Sequence, residues 1–175
     1  IFEPIWNRNH IDHVEITAAE WIQVEGRGAF YDQTGVLRDI VQNRLLQVMA
    51  LVAMEPPVSF EADDIRNEKV QLIHSLRPMD MNEVVRGQFR GYQEVNGVSP
   101  GSRTPTYVAM KIMVDNWRWQ GVPFYLRAGR GLAAKETEVS IHFRSIPLSL
   151  FNKDRACQPV QPNVLNIRIQ PEEGI

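Results

Sequence analysis

Across residues 36–54 apolar side chains return at helical spacing, and the run stops at Pro56-Pro57, where two successive residues lack the amide hydrogen a helix needs. This feature fixes a helix in the first third of the chain, with a cap expected at Asp32 or Thr34. Residues 59–76 read as a second helix. Ser59 suits its start, acidic residues come early, Ile65, Val70, Leu72 and Ile73 form the expected buried side, and Pro78 closes it. Beyond Pro78 the pattern changes to short β-rich runs at residues 84–89, 107–114, 122–126, 139–143 and 164–169. Ahead of the helices, residues 11–17 alternate apolar and polar side chains and read as one more strand. Helices grouped ahead of a block of strands predict an α+β fold. The turn-rich stretch 96–102 is expected to be a surface loop inside that fold, because both flanks are needed to complete one sheet.

Composition narrows the class. With 175 residues, 43% of them apolar, the chain can bury a sizeable core as one domain. A net charge of −2 gives no electrostatic reason to expect a nucleic-acid or anionic-membrane partner. No apolar run approaches the roughly 18 residues that span a bilayer. Cys157 is the only cysteine and has no intrachain partner for a disulfide, which favours a reducing, cytoplasmic compartment. The chain opens at Ile1 without a methionine and stops just after a strand-like segment, so the natural protein is expected to continue past it and cover the open sheet edge.

Few residues suggest chemistry. On an ideal helical wheel Leu37, Ile40, Val41, Leu45, Val48, Leu51 and Val52 form a stripe with Arg44 near its centre. A guanidinium there needs either a structural carboxylate, an outward path for its head, or a ligand. Asp39 is the nearest candidate in sequence, yet an ideal helix sets it about 140° round from Arg44. A second cluster is Arg127-Ala128-Gly129-Arg130-Gly131 with Lys135 beyond it: these cations beside glycines suit either a phosphate site or a solvated hairpin tip. Its spacing matches no Walker or dinucleotide fingerprint. His10 and His13 stand three apart with no further Cys or His nearby, and read as structural or surface residues. Trp117 and Trp119 read as packing rather than as a stacking platform.

Several ordered strings carry a resemblance along nearly the whole chain. Phe2-Glu3-Pro4-Ile5-Trp6-Asn7-Arg8, the stretch from Tyr31-Asp32 to Arg38-Asp39, Leu45-Leu46-Gln47, Ala53-Met54-Glu55-Pro56-Pro57, Asp115-Asn116-Trp117-Arg118-Trp119-Gln120-Gly121-Val122-Pro123-Phe124 and Ile169-Gln170-Pro171 all resemble glucose-6-phosphate dehydrogenase. The resemblance implies the C-terminal, substrate-side domain of that enzyme over residues 1–175, with the NADP-binding Rossmann domain before Ile1. It also implies a mostly antiparallel sheet with helices on one face, through which family members form dimers or tetramers. The activity it implies is oxidation of glucose 6-phosphate to 6-phosphogluconolactone with NADP.

Site residues carry over one by one. Glu20 and Asp39 match carboxylates that hydrogen-bond the sugar hydroxyls, and Arg130 and Lys135 match basic positions around the substrate, Arg130 standing where most members have lysine. The family's catalytic histidine lies in an Asn-His-Leu-Leu-Gln string, and the corresponding string here is Asn43-Arg44-Leu45-Leu46-Gln47. Histidine can accept the sugar's hydroxyl proton near neutral pH, whereas arginine stays protonated and only donates. Ala19, Glu136 and Ser140 occupy positions that are basic in members with a second, structural NADP site, so no such site is expected. Two functions therefore stand: part of a working dehydrogenase, or a catalytically silent homologue that binds sugar phosphate or joins subunits.

Overall fold

The computed structural model describes residues 2–146 and 161–175; Cys157 lies outside them. Six strands form one sheet: β1 (Ile11–Glu20), β2 (Val84–Gly87), β3 (Tyr107–Met113), β4 (Pro123–Arg130), β5 (Glu136–Phe143) and β6 (Val164–Gln170), in the spatial order β2-β3-β4-β1-β5-β6. β1 and β4 run parallel at the centre and every other neighbour pair is antiparallel. The helices follow β1: α1 (Gly28–Val36), a π-helical segment (Leu37–Leu45) and α2 (Leu46–Ala53), then α3 (Ala62–His74). They cover one face of the sheet, so the α+β fold with a mostly antiparallel sheet is the fold observed. No described helix is long and apolar enough to cross a membrane.

The core lies between the helical layer and alternate residues of the central strands. Val14, Ile16 and Ala18 of β1, Phe124, Leu126 and Ala128 of β4, and Val139 and Ile141 of β5 are buried against Val36, Ile40, Val41, Leu45 and Met49. Period-two burial on the strands meets a helical stripe that is not the one an ideal wheel gives. Leu37 and Leu51 are exposed, while Ile40, Val41, Leu45, Met49 and Ala50 are buried. The cause is the winding: the Leu46 amide bonds to the Val41 carbonyl, an i→i+5 step, so roughly every fifth residue recurs on one side. Arg44 thereby leaves the stripe.

The helix also starts earlier than its sequence signals. It begins at Gly28 and kinks at Gly35, whose φ of 60° and contact with Pro105 favour glycine; an added Cβ would lie 2.9 Å from Thr104. Asp32 caps no helix. Its carboxylate accepts from the Tyr92 hydroxyl at 3.0 Å, the Ser99 amide at 3.1 Å and the Ser102 hydroxyl, pinning the 96–102 loop to α1. These donors, Ser102 first, hold its carboxyl down at about 2. Thr34 bonds back to the Phe30 carbonyl in the previous turn. α3 likewise departs from expectation, because only Leu72 is buried; Ile65 is half-buried, and Val70 and Ile73 are 44% and 39% exposed. The helix sits beside α2 at the margin of the layer and presents just one turn to the core.

Pro56-Pro57 creates a local problem that the fold answers with indoles. The carbonyls of Val52 and Ala53 would accept from amides four residues on, and both of those residues are prolines. The Trp6 indole N–H donates to the Val52 carbonyl at 2.8 Å and the Trp119 indole N–H to the Ala53 carbonyl at 2.7 Å. Arg118 closes the cluster by donating to the Trp6 carbonyl and pairing with Glu55. Strings far apart in the chain thus meet around one helix end. Trp119 is wholly buried and packs edge-on against Phe124, whereas Trp117 is 90% exposed and takes no part in the core.

Replacing Trp119→Ala should cost about 3–5 kcal/mol, the range for deleting a large aromatic from a packed site. Trp119→Phe should keep part of the packing but leave the Ala53 carbonyl unpaired, costing about 1–3 kcal/mol. Denaturant unfolding measures both, and a Trp119→Phe variant as stable as the original would show that the hydrogen bond contributes nothing.

Candidate functional site

Four charged residues converge where β1 and β4 end. In the parallel register Glu20 lies opposite Arg130, and both continue the helix-facing set of their strands. Sequence patterning ends these strands too early, at residues 17 and 126. Ala18, Ala19, Ala128 and Gly129 have weak strand preference, yet their small size lets the helical layer approach closely. The extra residues deliver the two charges to the site.

The helix supplies the other two. Asp39 and Arg44 stand five apart, and π winding brings such residues to the same side. The Arg130 guanidinium donates to Asp39 Oδ2 through Nη2 at 2.7 Å and Nε at 3.2 Å, with Arg130 only 7% exposed. Arg44 Nη1 lies 3.4 Å from Glu20 Oε1 and is 56% exposed. The expected charge buried in an apolar stripe is therefore a half-solvated arginine paired with a carboxylate, and that carboxylate is Glu20 rather than Asp39. Signs alternate around the group: Arg44, Glu20, Arg130, Asp39.

Lys135 precedes Glu136, which lies opposite Ala19, so the register sets it beside Glu20. It is exposed and forms no ion pair among the described residues. Arg127 does not join this group. It belongs to the outward set of β4 and donates to the Thr17 hydroxyl at 3.1 Å on the open face of the sheet, which removes it from the cation cluster its sequence neighbours suggest.

One residue at the site is not marked out by its sequence pattern. Tyr31 lies under Arg130, with the guanidinium 5.5 Å from the ring centroid, within cation–π range. Its hydroxyl is the one buried side-chain polar atom among the described residues without a hydrogen-bond partner. Burial pushes its pKa well above the usual tyrosine range, Asp39 adds to the rise, and nearby Arg130 opposes it. Tyr31 therefore remains a neutral donor. Its only sequence signal is its place in a longer string shared with a family.

Such an arrangement can bind a polyhydroxylated anion. Carboxylates accept from hydroxyls, and guanidinium and ammonium groups pair with an anionic substituent. Arg44 itself cannot take a proton, so the only proton acceptors among these four residues are the carboxylates of Glu20 and Asp39.

Comparison with known proteins identifies a family. The family model for the glucose-6-phosphate dehydrogenase C-terminal domain matches residues 1–175. Glucose-6-phosphate 1-dehydrogenase of Aggregatibacter actinomycetemcomitans is 48% identical over 99% of this chain, and the match covers 37% of that protein. A crystal structure of the Mycobacterium avium enzyme superposes with a TM-score of 0.92 at 47% identity, covering 98% of this chain and 38% of that one. A glucose-6-phosphate dehydrogenase solved in complex with its substrate glucose 6-phosphate gives a TM-score of 0.87 at 35% identity, over 98% of this chain and 36% of its own. The chain thus spans little more than a third of these relatives, and it belongs to the glucose-6-phosphate dehydrogenase C-terminal domain family.

Proposed function

We propose that this domain binds glucose 6-phosphate and serves, in the intact protein, its NADP-dependent oxidation to 6-phosphogluconolactone. The observation that carries the reading is the convergence of Glu20, Asp39, Arg44 and Arg130 from two strands and one helix onto one end of the sheet. Glu20 and Asp39 accept hydrogen bonds from sugar hydroxyls, Arg130 and Lys135 face the anionic side of the substrate, and position 44 lies against the C1 hydroxyl. Oxidation removes a proton from that hydroxyl while hydride leaves C1, and the coenzyme is the acceptor of the hydride. The coenzyme is assigned to a part of the protein outside these residues. Ala19, Glu136 and Ser140 on β1 and β5 offer a carboxylate and no cation, so a second nucleotide phosphate does not fit there.

Arg44 favours a competing reading, a catalytically silent homologue. Its guanidinium cannot accept the hydroxyl proton, and it occupies Glu20, one of the carboxylates assigned to the sugar. Activity separates the readings, while binding and self-association test what they share.

Calorimetry on the intact protein should give saturable binding of glucose 6-phosphate. Lys135→Ala should weaken it about 10- to 100-fold, the worth of one charge-assisted hydrogen bond, and Arg127→Ala should leave it unchanged. Equal binding of glucose and glucose 6-phosphate would remove the phosphate role from Lys135 and Arg130.

Activity separates the two readings: on the silent reading the intact protein is nearly inert and Arg44→His raises kcat at least about 10²-fold with a smaller change in KM, since a base acts mainly in the transition state. A normal rate with Arg44 in place would bear out the dehydrogenase reading and put the base elsewhere, and no gain from histidine would remove position 44 from that role.

Self-association through the sheet completes the proposal, as membership of this family supports. Light scattering should report a dimer or tetramer, and a monomer at high concentration would refute this part.

A further inference from the structure

The sheet's other face carries a cluster that plays no part in the sugar site. His13 on β1 lies opposite His142 on β5, and their rings stack with centroids 4.1 Å apart at 15°. Glu15, two residues along β1, projects from the same face. One ligand atom from each of the three residues falls within 4.8 Å of the others, the one such group among the described residues. His10, the nearer neighbour in sequence, is not in it.

Hydrogen bonding decides what this cluster is ready to hold. His13 Nδ1 lies 2.8 Å from Asp12 Oδ2. A carboxylate only accepts, so in the neutral ring Nδ1 carries the proton and Nε2 carries a lone pair. Nε2 in turn lies 3.7 Å from Glu15 Oε1, another atom with only lone pairs to offer. A cation between them, a metal ion or a second ring proton, would satisfy both.

We propose that His13 Nε2, His142 and Glu15 form a divalent transition-metal site, suited to zinc, on the open face of the sheet. Two imidazoles and a carboxylate are an established zinc donor set, with the fourth position left to water. Asp12 acts as the outer carboxylate that fixes the His13 tautomer. Zinc bonds of about 2.0 Å at tetrahedral angles need ligand atoms roughly 3.3 Å apart, so the three must close from within 4.8 Å by side-chain rotation alone. The strands fix their Cα positions already.

The test is Zn²⁺ titration of the tag-free intact protein by calorimetry, with Co²⁺ absorption as a probe of coordination. Expected are one tightly bound ion per chain and the intense visible bands of four-coordinate cobalt. His142→Ala and Glu15→Gln should each weaken binding at least about 10-fold, Asp12→Asn about 10-fold, and His10→Ala not at all. Far-UV circular dichroism of each variant confirms that the sheet persists. Absence of stoichiometric uptake, or uptake equal in wild type, His142→Ala and Glu15→Gln, would overturn the site and leave His13 bridging its two carboxylates as an imidazolium.

Discussion

The contact on which the site depends is the pair between Arg130 at the end of β4 and Asp39 on the π-helical segment. It ties the last residue of a central strand to the helical layer at a point with almost no solvent access. A buried ion pair gains little net stability, because desolvating both charges offsets their attraction. Losing one partner is another matter, since the other charge stays buried without compensation, at about 3–5 kcal/mol. The pair therefore acts mainly as a constraint of position. With Arg130 held by Asp39, the parallel register places Glu20 beside it, and Glu20 in turn receives Arg44.

Winding of the helix makes that constraint possible. In an ordinary α-helix Asp39 and Arg44 would point well apart, and a residue at position 44 would enter the core stripe. With i→i+5 bonding both turn toward the strand ends, and the core is filled by Ile40, Val41 and Leu45 instead. The indoles of Trp6 and Trp119 hold the far end of the same rod, where Pro56-Pro57 leaves the Val52 and Ala53 carbonyls without amide donors. A helix pinned at both ends keeps an uncommon winding between them. Such π segments recur at functional sites, in keeping with the charges gathered here.

Much of the fold is legible in the sequence where the signals are strong. The period-two runs at residues 107–114 and 164–169 fall on β3 and β6 almost to the residue, and the double proline marks the end of α2. What patterning misses has definite causes. An ideal wheel assumes i→i+4 bonding, so it misplaces Arg44 and sets Asp39 apart from it. Strand preference undervalues Ala18, Ala128 and Gly129, and so cuts β1 and β4 short of Glu20 and Arg130, the residues that matter most. Apolar character alone says nothing about which neighbours exist, and Val70 and Ile73 of α3 stay exposed for want of one. Asp32 has the chemistry of a cap and serves as a cap for a loop instead. The site residues themselves were reached through family resemblance, while Tyr31, beneath Arg130, emerges only in three dimensions.

The two faces of β1 carry different chemistry because of strand alternation. Val14, Ile16, Ala18 and Glu20 point to the helices, and the last of them leaves the core for the ring of charges; His13, Glu15 and Thr17 point to the open face. A one-residue slip of β1 would exchange the two sets and destroy both clusters with the core. The antiparallel pairing with β5 and the parallel pairing with β4 fix that register from both sides, and Arg130 with Asp39 locks its end. The charge ring and the histidine pair are thus consequences of the same alignment. Arg44 is the one member of the ring held by neither strand nor core. It can be exchanged without disturbing the frame that positions the other three, so the chemistry at position 44 can change while the binding geometry stays fixed.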